Sequence, residues 1–520
     1  FEKVSFIDGR FSDENGAPVP ALKDWGLMAR FQDIDADGDP DIYVCNDFES
    51  PDRIWINDGT GHFKAIDKLA LRHTSNSSMA IDFSDIDRDG DLDFLVMDML
   101  SLRHQRRMTQ KSTSVPLPHP VGVIENRPQY MRNTLFLNRG DRTYAEIAQY
   151  SGIEASEWSW SNLFLDVDLD GYEDVLVATG HYYDAQNLDA MQEADSRIKF
   201  SAMAIKLSSQ SPAKKDRLNT LFLYPKLDLP ERAFRNRGDL TFEEVGSKWG
   251  FTTADISHGM ALGDLDNDGD PDVIMNRLNE PAAIYRNQSP APRIAVRLRG
   301  QAPNTQGIGA KIRVLGGPAP QSKEAISGGA YLSSSDYLYV FAAGKANDLT
   351  IEVQWRDGKI STVSGVKPNR IYEIDEASAQ PAESNKTVDD ASRPVFEDAS
   401  HLLSHQHHED AFDDFKKQPL LPNRLSQAGP GVTWYDFDID GDDDLVITTG
   451  KGGQLAYFRN DGVAGFHRLD VTGIFGKTQH DQTTALGLAN EDGSASLLVG
   501  KSNLENAKPG NSFVLRYDFQ

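Results

Sequence analysis

An all-β fold assembled from repeated sheets is what this sequence predicts, and three observations predict it. One nine-residue acidic pattern recurs five times, and each copy runs into a short apolar stretch rich in strand-forming residues. The first four copies return at a period of roughly 50–60 residues once two inserts are set aside, the spacing of a sheet repeat. Asn-x-Gly turns, a strong hairpin signal, join apolar runs downstream.

The copies are DIDADGDPD (33–41), DIDRDGDLD (85–93), DVDLDGYED (166–174), DLDNDGDPD (264–272) and DFDIDGDDD (436–444). All read D-x-D-x-D-G-x-x-D. Like charges this close repel, so a folded chain tolerates them only with a cation among them. Carboxylates two apart, a glycine that permits a sharp bend and a further carboxylate suit Ca²⁺, which takes about 6–8 oxygens. The expected ligands are Asp33, Asp35, Asp37, Asp39 and Asp41 in the first loop, and Asp85, Asp87, Asp89, Asp91 and Asp93 in the second. The third offers Asp166, Asp168, Asp170, Tyr172 and Asp174, and the fourth Asp264, Asp266, Asp268, Asp270 and Asp272. The fifth offers Asp436, Asp438, Asp440, Asp442 and Asp444. Position 7 (Asp39, Asp91, Tyr172, Asp270, Asp442) contributes its backbone carbonyl. About five Ca²⁺ per chain follow. An EF-hand opens the same way but needs a Glu at position 12. That position holds Val44, Val96, Val177, Met275 and Ile447. The site must therefore close at position 9, on strands. Metal-free acidic turns would not repeat a fixed glycine and a fixed ninth aspartate. The expected role of the calcium is to staple the fold.

Each repeat has further parts. A strand precedes each loop (SSMAIDFS, SWSNLFL, SHGMALG, GPGVTWY), and an apolar strand follows it. Then comes a hairpin: IWINDGTGHFKAI, LFLNRGDRTYAEI, AFRNRGDLTFEEV, AYFRNDGVAGFHRL. The inserts are 101–128, which is basic, and 184–217, which has helical character. A degenerate sixth copy, LANEDGSAS (488–496), has Leu488 and Ser496 where aspartates belong, so a blade without calcium is expected there. The last repeat stops at SFVLRYDFQ without a final strand, and Phe1–Val4 resembles that missing piece, so the termini are expected to complete one blade; the alternative is a chain cut from a longer protein whose other parts complete both ends. Residues 291–376 alternate with period two between glycine-rich turns, a small β domain; 377–393 is polar and reads as a linker. The expected architecture is a calcium-binding β-propeller of about six or seven blades. Residues 1–290 and 394–520 form the blades, and the small domain is inserted between them.

The D-x-D-x-D-G-x-x-D loops with their N-x-G-x-x-x-F hairpins resemble the FG-GAP/VCBS repeats of integrin-α-like propellers. NTQGIGAKIRVLGG (304–317), GGAYLSSSDYLYVFAAG (328–344) and IEVQWRDGKISTVSGVKPNRIYEIDE (351–376) resemble the ASPIC/UnbV domain of the cartilage-acidic-protein-like family. The sequence departs from that family at GGAYLSSSD and FAAG, where a G-L-G turn is usual. The resemblance implies an extracytoplasmic, calcium-binding, non-catalytic protein of adhesion or assembly.

Composition bounds the function. The 520 residues carry a net charge of −26, against nucleic acid, whose binding needs a basic face. No apolar run approaches the ~20 residues that span a bilayer. The chain opens at Phe1, so a processed product whose address has been removed is expected, with an extracellular, cell-surface or periplasmic location. The single cysteine, Cys45, permits no intramolecular disulfide and reads as buried.

The remaining motifs are read against simpler accounts. HLLSHQHHED (401–410) leads into a repeat as a polar segment; the alternative is a transition-metal site on His401, His405 and His408. Arg139–Asp141 and Arg237–Asp239 spell RGD, but both occupy the hairpin turn, and turn chemistry explains them. Sequons begin at Asn76, Asn287 and Asn385. His181 and His258 read as structural histidines. No nucleophile elbow, P-loop or zinc-protease motif occurs. The functional expectation is a non-catalytic binding or scaffold protein for a protein or glycan partner. The alternatives are a structural subunit of a larger assembly, with the inserts as docking arms, and a metal-dependent enzyme using 401–410.

Overall fold

The computed structural model describes residues 4–20, 22–48, 50–110, 127–197, 220–346, 348–381, 398–469, 476–505 and 513–519. Strand accounts for 39% of it and helix for 8%, so the class is all-β, as expected. The chain forms two compact units, Phe1–Ser384 and Asn385–Gln520.

The first unit holds four repeat sheets. The first orders its strands Phe11–Ser12, Phe63–Ala65, Arg53–Asn57, Asp41–Asn46 and Gly26–Gln32. The second pairs Ile81–Ser84, Asp93–Val96, Thr134–Asn138 and Tyr144–Glu146. The third pairs Ser159–Leu165, Asp174–Thr179, Arg232–Asn236 and Phe242–Glu244. The fourth has three strands, Ser257–Gly263, Asp272–Arg277 and Ala283–Tyr285. Every acidic loop joins two antiparallel strands, and the Asn-x-Gly turns join the next pair, as their sequences require.

Successive sheets pack face to face. Phe94 and Val96 meet Tyr43, Cys45 and Ile54 of the first sheet, while their neighbours Leu95 and Met97 meet Phe164, Val175 and Phe234 of the third. Leu176 meets Met260 and Val273 of the fourth. A strand buried on both faces must be apolar at every position, which is why FLVM and VLVA do not alternate. This is a propeller-like stack of repeats.

Residues 293–381 form a separate β sandwich within the same unit. Arg293–Arg299 lies between Tyr339–Ala342 and, in parallel, Arg370–Asp375. The facing sheet runs Gln321–Glu324, Lys311–Leu315, Leu349–Gln354, Lys359–Val366 and Gln380–Pro381. Alternation buries Ile294, Val296, Leu298, Ile312, Val314, Ile351 and Val353 between the two. Gln380–Pro381 pairs with Lys359 and Ile360, so this sheet continues past the boundary expected at residue 376.

The second unit holds two repeat sheets, Val432–Tyr435 to Phe466–Leu469 in four strands and Asp481–Ala489, Ala495–Ser502, Phe513–Phe519 in three. Phe437, Val446, Tyr457, Leu497 and Val499 pack between them. In the degenerate copy the strands run through Leu488 and Ser496 to a tight turn at 490–494, so the nine-residue loop has become a plain hairpin. The last sheet lacks a fourth strand among the described residues. Phe1–Lys3 lie outside the described residues, and Phe11–Ser12 adds in parallel to the first sheet. The expected helix in the second insert spans 188–197, and most of both inserts lies outside the described residues.

Candidate metal centres in the repeated loops

The five loops share one backbone. The fourth position is left-handed in each: Ala36 (φ 62°), Arg88 (68°), Leu169 (57°), Asn267 (60°) and Ile439 (64°). The glycine two residues later has φ between 90° and 101°. The first aspartate accepts that glycine's N–H, as from Gly38 to Asp33 at 3.0 Å and from Gly171 to Asp166 at 2.8 Å. The fifth accepts the N–H of position 7, as from Asp39 to Asp37 at 2.9 Å. The loop is thus wound about its own carboxylates.

The ninth aspartate does more than the sequence reading assigned to it. Asp41 accepts Ile34 N–H (2.8 Å) and Asn57 N–H (2.7 Å), one on each oxygen. Asp93 does the same with Ile86 and Asn138, Asp174 with Val167 and Asn236, Asp272 with Leu265 and Asn287, and Asp444 with Phe437 and Asn460. All five are at most 1% exposed. Four of these partners, Asn57, Asn138, Asn236 and Asn460, are the asparagines of the hairpin turns, and Asn287 follows the last strand of its sheet. Asn57, Asn138, Asn236 and Asn460 also donate from Nδ2 to the carbonyl of position 8, at 3.0–3.3 Å. Loop and hairpin are therefore one hydrogen-bonded unit. The turn glycine completes it: a Cβ at Gly140 would lie 3.2 Å from Asp91 Oδ2, and one at Gly462 3.1 Å from Asp442 Oδ2, both at positive φ.

The donor set fits a hard cation. One oxygen each from Asp33, Asp35 and Asp37 lie within 4.8 Å of one another, as do those of Asp85, Asp87 and Asp93, of Asp166, Asp168 and Asp174, and of Asp264, Asp266 and Asp268. Asp33 Oδ1, Asp35 Oδ1, Asp85 Oδ1 and Asp168 Oδ1 are buried with no hydrogen-bond donor among the described residues. Burial pushes Asp41 up to about 7, Asp93 to about 8 and Asp174 to about 9, with neighbouring loop carboxylates adding to it. Oxygen-only donors, closely spaced and unsatisfied, are what calcium takes.

Basic side chains reach some loops from elsewhere in the fold. Lys311 Nζ pairs with Asp33 at 2.7 Å, from the sandwich. Arg235 spans Asp168 and Asp170, both at 2.6 Å, and Arg293 reaches Asp268 at 2.9 Å. The acidic pattern gave no signal of these partners.

The other sequence candidates resolve as follows. His408 faces Asp410 and His407 faces Glu409, each at 3.2 Å, while His405 packs edge-on against Phe458 and His401 is exposed. Both RGD aspartates cap their turns, Asp141 holding Thr143 and Asp239 holding Thr241. His181 stacks on Trp158 and His258 packs against Trp160, with centroids 4.2 and 4.4 Å apart, and burial lowers both imidazole pKa values. Cys45 is fully buried within a strand, and burial drives its thiol pKa up, so it is no nucleophile. Asn76 is buried, Asn287 donates to Val167 O, and Asn385 lies outside the described residues.

Sequence comparison bears on the same two parts. The family model for FG-GAP-like repeats matches residues 33–96 and 230–275, and that for ASPIC and UnbV matches 300–381. The chain carries FG-GAP-like repeats and an ASPIC and UnbV domain. Its distant homologues include cartilage acidic protein 1 of Homo sapiens, 25% identical over 284 residues, 48% of this chain and 40% of that protein. The Mus musculus protein is 24% identical over 48% of this chain and 42% of its own length, and that of Xenopus tropicalis 25% over 46% and 40%. The aligned region thus spans about two fifths of these relatives. A solved structure described as the basis of N-acetylglucosamine recognition by an Agrocybe aegerita lectin aligns over 96% of this chain and 86% of its own. Its identity is 11% and its TM-score 0.24, too weak to bear on fold or ligand.

Proposed function

We propose that this chain is a calcium-stapled binding or scaffold protein of the extracytoplasmic space. Its FG-GAP-like repeats would close into a propeller of about six or seven blades and present a protein or glycan partner with a rigid surface. The observation that carries the reading is the identical winding of five acidic loops around carboxylates, with buried oxygens left without donors. Asp33, Asp35 and Asp37, and their counterparts in the other loops, would hold the ion. It supplies charge neutralisation where repulsion otherwise opposes folding. The homologues named cartilage acidic protein 1 support an extracellular setting. No helix among the described residues is long and apolar enough to cross a membrane.

A scaffold role in a larger assembly is the second reading, and one observation weakens the basic insert as its docking arm. Arg106 pairs with Glu157 and Asp184, and Arg107 Nη2 lies 3.8 Å from Glu154, so much of its charge is spent within the fold. The first reading is tested by equilibrium dialysis of EDTA-stripped protein against radioactive calcium. About five bound ions per chain are expected; none would overturn it.

A further inference from the structure

The histidine-rich segment leads to a second acidic centre that no repeat motif supplies. Glu409 follows the histidines, Asp481 opens the strand Asp481–Ala489, and Glu505 follows the strand Ala495–Ser502. One oxygen from each lies within 4.8 Å of the other two. Proximity alone would not make this a site. Burial and missing donors do: Asp481 is 3% exposed and Glu505 8%, and Glu505 Oε1 has no hydrogen-bond donor among the described residues. Glu409 Oε1 is buried and lacks a donor as well.

Two nearby donors among the described residues are committed to other oxygens. Lys451 N–H donates to Asp481 Oδ1 at 2.9 Å, and His407 Nε2 meets Glu409 Oε2 at 3.2 Å. Gly450 makes the approach of Glu409 possible, since a Cβ there would overlap its carboxylate. A buried carboxylate oxygen with no donor, facing two more carboxylates, is unfavourable as a charged group unless a cation joins it or a proton neutralises it.

We infer that Glu409, Asp481 and Glu505 bind a hard divalent cation of the calcium or manganese kind, at a site separate from the repeat loops. Three carboxylates suit an oxygen-seeking ion, whereas zinc and copper favour nitrogen and sulfur. His407 is a positioning residue that holds Glu409 through its second oxygen. The cation ties three stretches: the segment before the fifth repeat, the start of one strand of the last sheet and the turn after the next strand.

The test uses the full chain, stripped with EDTA and dialysed against radioactive calcium and, separately, Mn²⁺. Glu505→Gln and Glu409→Gln are each expected to bind a single ion fewer than the parent in at least one of the two metals. The metal-free variants should melt no lower than the metal-free parent, because a repelling charge is gone. Equal stoichiometry in both metals would overturn the inference. Should Glu505→Gln not fold, the half-buried Glu409 carries the test. Failure of the loops to bind calcium would leave the single-ion difference intact, so the two readings fail separately.

Discussion

Asp93 Oδ1 accepts the backbone N–H of Asn138 at 2.8 Å, joining the end of an acidic loop to the hairpin that begins on the neighbouring strand. The other oxygen accepts Ile86 N–H at 2.9 Å. Asp93→Asn turns a donor toward one of these N–H groups and leaves it unpaired. A loss of ~2–4 kcal/mol in urea unfolding is expected with calcium absent. Asp87→Asn, in an exposed ligand position, should leave metal-free stability within ~1 kcal/mol and weaken calcium binding instead. Equal losses from both would mean that the ninth aspartate is only a ligand.

The left-handed fourth position carries strain wherever the residue is not glycine or asparagine. Ile439 at φ 64° is the severest case, being β-branched, and its side chain is 61% exposed. Ile439→Gly relieves that strain and forfeits little packing. A gain of up to ~1 kcal/mol in thermal unfolding is expected. A loss would show that the exposed side chain makes contacts that matter.

Asp52 gives the fold a pH dependence unrelated to metal. It is 1% exposed, and burial raises its carboxyl from 3.8 to about 7, against hydrogen bonds from Asn46 N–H, Tyr43 and Ser78. The neutral acid is the form the fold favours. Its contribution is therefore complete below the unfolded value and is lost as pH rises through about 7. Asp52→Asn keeps the shape without the charge, and both hydroxyls can turn to accept. Between pH 5 and pH 8 the parent should lose up to ~3 kcal/mol more than the variant. Parallel pH profiles would contradict this.

What was legible in the sequence is what local pattern encodes. D-x-D-x-D-G-x-x-D fixed the loops because charge spacing and a glycine bend are properties of nine consecutive residues. FLVM and VLVA marked short apolar strands, and the RGD triplets were readable as turns because both fall at the same place in the hairpin, where a tight turn wants a glycine. The role of Asn138 and its counterparts was half visible: Asn-x-Gly announced the turn, but not that the Asn backbone meets a loop carboxylate. Lys311 against Asp33 was not legible, since the pairing depends on how the sandwich sits against the repeats. Nor was the centre at Glu505, whose three ligands come from unrelated stretches. Residues 401–410 drew attention through their histidines, whereas Glu409 is the member that enters the acidic centre.

The measurement that tests the central claim most directly is a calcium titration of EDTA-stripped protein, followed by thermal unfolding. Binding to the native state alone raises stability by mass action, by ~2.7 kcal/mol per site at a hundredfold excess over the dissociation constant. With several loops filling together, the melting temperature should climb by ten degrees or more, on the order expected for such a gain. It should stay put with magnesium at the same concentration, which demands tighter octahedral geometry and gives up its water reluctantly. An unmoved melting temperature across the calcium series would contradict the account.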